Sequence, residues 1–185
     1  MIIAFLVILV ILILVAIGMY NNLIKLRNNR ENAFADIDVQ LKQRQDLIPQ
    51  LVEAVKAYMK HESTVLTDIT NARANSIKAS TINEKIEADN QMSSALQGLR
   101  VAVEAYPDLK ANQNFKQLQD EIADIENKLA AARRFFNSAT KELNNAVETF
   151  PSNILAIIFN FKREPMFEIA ADNRAKAEET PKLNF

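Results

Sequence analysis

The chain has 185 residues, enough for one domain with a modest core, and its 49% hydrophobic content belongs to a folded protein, not a disordered one. With only 2 Gly and 5 Pro it lacks the turn residues a sheet protein needs, so long helices with few connections are expected. The 22 basic and 23 acidic side chains alternate in sign for a net charge of -1, which leaves no basic stripe for nucleic acid, and the absence of Cys excludes disulfides and thiolate metal sites.

Ile2 to Ile17 contains only Ala, Val, Ile, Leu and Phe, and the first charged side chain is Lys25. A bilayer core takes about 20 apolar residues in a helix, a length reached if the segment runs from Met1 to Tyr20. With no water at that depth the backbone must bond to itself, so residues 1–20 are expected to form a transmembrane anchor, with Tyr20, Asn21 and Asn22 at the headgroups. A cleaved signal peptide would need a basic start and a small-residue cleavage site, and neither stands here. Lys25, Arg27 and Arg30 flank only the C-terminal side, which predicts the N-terminus outside and the remainder in the cytoplasm.

Residues 21–79 read as helix with a seven-residue repeat. One seam position holds Phe34, Leu41, Ile48, Val55, Glu62, Ile69 and Ser76, and the other holds Ile37, Arg44, Leu51, Tyr58, Val65 and Ala72. Pro49 removes one rung of the hydrogen-bond ladder and must kink or break this helix. A kink leaves one long rod, and a break leaves two antiparallel helices. The stripe keeps its phase across Pro49, which favours the kink.

Thr81-Ile82-Asn83-Glu84 fits a capping box and opens a helix over 81–106, with Ile82, Ile86, Leu96, Leu99, Val103 and Tyr106 on its apolar face. Asp89, Asn90 and Gln91 weaken that face in the middle, and Pro107 ends the helix. After a loop over 107–112 comes the clearest helix, 113–149. One seam there is Phe115, Ile122, Leu129, Phe136, Leu143 and Phe150; the other is Leu118, Ile125, Ala132, Ala139 and Ala146. Every seam position is apolar, a pattern of coiled-coil-like packing.

Phe150-Pro151 stops this helix, and Ser152 can cap the next. Residues 153–161 carry Ile154, Leu155, Ile157, Ile158, Phe159 and Phe161, an apolar arc wider than half a helical wheel. Such an arc suits a membrane-surface or partner-docking helix, and equally a cover over one end of a bundle. Residues 162–185 have two prolines, mixed charge and little periodicity, so they are expected to be a loosely held tail. The bundle domain is thus expected over 21–161.

No chemistry is legible. His61-Glu62 begins like a zinc-protease motif, but Val65 stands where the second His belongs. Glu121, Asp124 and Glu126 read as solvent-facing residues, with Asp124 able to pair with Lys128. No Glu-x-x-His pair supports a di-iron site, and no P-loop or nucleotide fingerprint is present. No catalytic, cofactor or metal residue is nominated, and no small-molecule substrate is expected.

Three stretches together resemble the LemA family. They are the run Ile37 to Val52, continuing to Tyr58 and His61-Glu62; Val103-Glu104-Ala105-Tyr106-Pro107-Asp108-Leu109-Lys110-Ala111-Asn112 with Asn114-Phe115 and Leu118-Gln119; and Phe150-Pro151-Ser152-Asn153 with Phe159-Asn160-Phe161 and Phe167-Glu168. Tyr20-Asn21-Asn22-Leu23 adds to the likeness. Phe34 replaces a frequent Trp, and Ala57 and Asn160 replace frequent Gly. The resemblance implies a bacterial membrane-anchored protein with an up-and-down four-helix bundle and no defined enzymatic activity. In that fold residues 153–161 would return towards the bilayer, whereas a single rod would leave them far from it.

The expectation is therefore an all-α, non-enzymatic scaffold at the membrane that assembles with itself and organises or bends the membrane. Its rival is a monomeric adaptor or sensor arm that recruits a membrane protease or signalling protein. The expected interaction surface is Phe115, Leu118, Ile122, Ile125, Leu129 and Phe136 of the long helix, with Ile154, Leu155, Ile157, Ile158, Phe159 and Phe161.

Overall fold

The computed structural model describes residues 1–59 and 62–167. Among them the regular structure is helical throughout: α1 (Ile2–Lys56), α2 (Ser63–Lys78), α3 (Ile82–Val103), the short α4 (Pro107–Ala111), α5 (Gln113–Glu148) and α6 (Ser152–Ile158). The architecture is the expected all-α one, a helix bundle preceded in the chain by a long apolar helix. It divides into two compact units, one containing Met1–Asp38 and Ala130–Met166, the other containing Val39–Leu129.

In the second unit a core of Ile48, Leu51, Val55, Met59, Ile69, Met92, Leu99, Val103, Leu109, Phe115 and Ile122 is contributed by α1 to α5. This core corrects the helix expected over 21–79. The chain does pass Pro49 without breaking, but α1 ends at Lys56 and α2 starts at Ser63. Along an uninterrupted helix Val55 and Ile69 would lie about 21 Å apart. Reversing the chain lets both enter one core. Of the seam residues around the reversal, Tyr58 is exposed and Glu62 only half-buried. Heptad phase cannot register such a turn, because burial resumes in phase on the other side.

Pro49 survives inside α1 through a specific substitution. A proline at 49 leaves the carbonyl of Gln45 without its usual helical donor. Arg73 of α2 supplies one, its Nε donating to that oxygen at 3.0 Å. The Gln45 side chain in turn donates from Nε2 to Ser76 Oγ at 2.6 Å. The helix is held through its proline by its neighbour.

The capping box is present as expected: Glu84 N donates to Thr81 Oγ1 at 3.2 Å and Thr81 N donates to Glu84 Oε2 at 3.0 Å. The expected loop over 107–112 is mostly α4, with Pro107 in its first turn and Leu109 buried. Asn112 then starts α5, its Oδ1 accepting from Phe115 N at 3.1 Å.

In the first unit Leu23, Ala33, Phe34 and Ile37 of α1 and Phe136, Ala139 and Leu143 of α5 are buried, and the Phe34 and Phe136 rings meet edge-on at 5.5 Å. α6 closes on a tight turn at Asn160, which adopts φ 56. Asn160 N donates to Ile157 O at 3.2 Å and Phe161 N to Ala156 O at 2.8 Å, the bond pair of a left-handed helix cap. Asn thus takes the positive φ that Gly would accept freely.

The described start of the expected loose tail is in fact fastened. Asn144 accepts from Glu164 N at 2.8 Å and donates to Glu164 O at 2.9 Å, and Arg163 pairs with Glu148 at 2.7 Å. Two backbone groups anchored by one buried amide outweigh the segment's lack of periodicity. The rest of that tail, like His61, lies outside the described residues.

Candidate membrane-contact site

Along α1 every side chain from Met1 to Val15 is exposed, and Leu23 is the first to be fully buried, at 0%. The 17 residues Ile2–Gly18, exposed except for half-buried Ala16 and roughly 26 Å long at 1.5 Å per residue, therefore stand clear before the packed part begins. That length comes close to a bilayer's hydrocarbon core, about 30 Å. Among the described residues α1 is thus the one candidate membrane-anchor helix.

α6 packs where that bare stretch ends. The Tyr20 ring centroid lies 4.5 Å from that of Phe159 and 6.2 Å from that of Phe161, and the Arg27 guanidinium sits over the Phe161 ring at 5.4 Å. Only Ala156 of α6 is fully buried. Leu155 and Phe161 are half-buried, and Ile154, Ile157, Ile158 and Phe159 are exposed, Ile157 at 78%. Phe150, just before α6, is exposed as well. So large an apolar face at the end of a bare apolar helix calls for an apolar covering.

The α5 half of the expected surface is placed differently. Phe115, Ile122, Ile125, Leu129 and Phe136 are buried and Leu118 is half-buried, all within this chain. These seam residues of α5 are therefore largely covered within this chain.

Sequence reading also missed two buried cations. Arg44 and Asp89 are both 1% exposed and pair at 2.5 Å, and Arg44 also reaches Glu126 at 2.5 Å and Ser93 Oγ at 3.4 Å. Glu126 is thus an internal partner, not the solvent-facing residue expected; Asp124 does pair with Lys128 in solvent, at 2.7 Å. The signal was available: Arg44 interrupts one seam, Asp89 to Gln91 weaken another, and the two interruptions meet. In the other unit Arg30 pairs with Glu164 at 3.3 Å, donates to Pro165 O at 3.4 Å and lies 4.8 Å over the Phe136 ring. Burial lowers its pKa from the ordinary arginine value, and the charges of Glu164 and Glu31 oppose that shift.

A groove of about 340 Å³ runs between Leu51, Leu99, Val103 and Ile122, rimmed by Arg100, Glu104, Lys110 and Asp120. Glu104 and Lys110 pair with each other at 2.6 Å across it. Among the described residues no cluster of His, Asp or Glu is arranged to hold a metal.

Together these features define a class: a helical-bundle protein with an N-terminal candidate membrane anchor and a second, short apolar helix beside the anchor's end. The LemA family model matches residues 33–185, and the chain belongs to the LemA family. It is 26% identical over 168 residues to Protein LemA of Metamycoplasma hominis, covering 89% of this chain and 75% of that protein. Magnetosome protein MamQ of Magnetospirillum gryphiswaldense is 23% identical over 174 residues, and magnetosome protein MamQ 2 of Paramagnetospirillum magneticum is 22% identical over 175. Each of those two alignments covers 80% of this chain but 64% of the relative, so this chain spans under two thirds of either MamQ. The family and the apolar helix fit a membrane-anchored protein, and no relative's name denotes an enzyme.

Proposed function

We propose that this protein is a non-enzymatic, membrane-anchored scaffold that assembles with copies of itself and organises the membrane carrying it. The observation that supports this most directly is the uncovered apolar stretch of α1, which a bilayer would satisfy. The polar groups that do converge among the described residues, Arg44 with Asp89 and Glu126, are tied up in ion pairs inside the bundle, which fits a structural role. With most of the α5 seam buried, the apolar surfaces left for assembly include the anchor and Phe135 of α5, which is 62% exposed. Closed homo-oligomers are the commonest assemblies, and a short apolar segment at the lipid would let an array bend its membrane.

The deciding measurement is the mass of the full-length protein, extracted gently from membranes and resolved particle by particle. Uniform multiples of the 20.9 kDa chain, reduced by Phe135→Ser, are the expected result. Monomers throughout would favour the rival reading, an adaptor that recruits another membrane protein.

A further inference from the structure

We propose that α6 lies in the plane of the bilayer, its exposed apolar face inserted among the lipids of the leaflet from which the anchor emerges. This rests on the reading of α1 as a membrane anchor and goes beyond it by assigning a second lipid contact. Height is the first argument. If residues 2–20 fill the hydrocarbon, Tyr20 sits at its edge, where tyrosine's apolar ring and polar tip are both satisfied. Phe159 stacks on Tyr20 at 4.5 Å, so the end of α6 stands at that same edge.

The second argument is the face itself. Ile154, Ile157 and Ile158 are exposed, Phe159 stays half exposed beside its contact with Tyr20, and Phe150, just before α6, is exposed too. A helix of seven residues is about 10 Å long, so none of these side chains lies far from the level of Phe159. The third is charge. Lys162 directly follows Phe161, and Arg27 covers the Phe161 ring, so cations border the apolar patch where lipid phosphates would lie. The fourth is the helix end: the left-handed cap at Asn160 stops α6 just before Lys162 and Arg163, so the apolar helix ends where the cations begin. A second copy could cover the same face, and the test separates the two.

The chain contains no Trp, so a single introduced one reports alone. Full-length Leu9→Trp, Ile157→Trp and Ile77→Trp proteins would be reconstituted into vesicles of phosphatidylcholine and phosphatidylglycerol, with and without lipids brominated near the headgroup end of the acyl chain, or near its methyl end for the mid-bilayer Leu9→Trp. All three positions are exposed, so each substitution should be accommodated. Insertion of α6 requires loss of fluorescence on bromination for Ile157→Trp, with a blue-shifted spectrum, and none for Ile77→Trp on α2. Quenching of Leu9→Trp without quenching of Ile157→Trp would overturn the proposal and keep the anchor. A blue-shifted but unquenched Ile157→Trp would also overturn it and give the face to a second copy. Equal quenching at Ile77 would overturn it as well, since lipid contact would then not be a property of α6. An unquenched Leu9→Trp would sink both readings.

Discussion

Arg44 occupies a seam position where an aliphatic side chain is expected, and its charge is tolerated only because Asp89 and Glu126 meet it. Burying a charge costs far more than a hydrogen bond returns, so Arg44 and Asp89 are each tolerable in the core only while the other is present. Arg44→Met should destabilise the fold by about 3–5 kcal/mol, because Asp89 is left buried and charged. Arg44→Met with Asp89→Leu should recover most of that loss, since Glu126 is partly exposed and can turn to water. Urea unfolding of the three variants measures it; an equal loss in single and double variants would mean that packing, not charge, holds the site.

At the scale of the element, Pro49 and Arg73 form a coupled pair across two helices. Arg73→Met should cost about 1–3 kcal/mol, the price of leaving the Gln45 carbonyl without a donor. In a Pro49→Ala background the backbone N–H at 49 returns and reaches that carbonyl, so the same Arg73→Met change should cost little. A double-mutant cycle without coupling would refute this account. The start of α3 makes a prediction in pH. Glu84 accepts from the backbone N–H groups of Ser80 and Thr81, and these bonds hold its pKa at about 2 instead of the ordinary 4.5. A depressed carboxylate stabilises the fold above the unfolded value and loses that contribution as pH falls through the folded one. The stability difference between the native chain and Glu84→Gln should therefore be constant above about pH 4.5 and fade between there and about pH 2. A difference unchanged across that window would mean the carboxylate's charge plays no part in the cap.

For the whole molecule the open question is which side of the membrane the bundle occupies. Lys25, Arg27 and Arg30 closely follow the anchor, and such cations are preferentially retained on the cytoplasmic side, so the bundle should face the cytoplasm. Asn29 is exposed and the chain has no native Cys, which makes Asn29→Cys a clean reporter. It should resist a membrane-impermeant thiol reagent in intact cells and react after lysis; labelling in intact cells would reverse the orientation. The lipid contact assigned to α6 holds for either orientation, because it follows the end of the anchor.

Much of this was legible from residue order. The apolar run Ile2–Ile17 announces a helix that water cannot cover, the α5 seam from Phe115 to Leu143 announces a packed stripe, and Thr81 with Glu84 announces a helix start, because each depends on spacing along one helix. The motifs of the three LemA-like stretches carried the family. What spacing cannot express is partnership between helices. The turn after Lys56 has neither Gly nor Pro to mark it and leaves the heptad phase intact. Arg73 completing the helix around Pro49, Arg44 finding Asp89 and Glu126, and Phe136 of α5 meeting Phe34 of α1 are all contacts between residues distant in sequence. The same holds for the return of α6 to Tyr20: its apolar arc was evident, but only tertiary packing decided that it stands at the anchor's edge, because the chain reversals that bring it there are driven by burial in a shared core and leave no local signature.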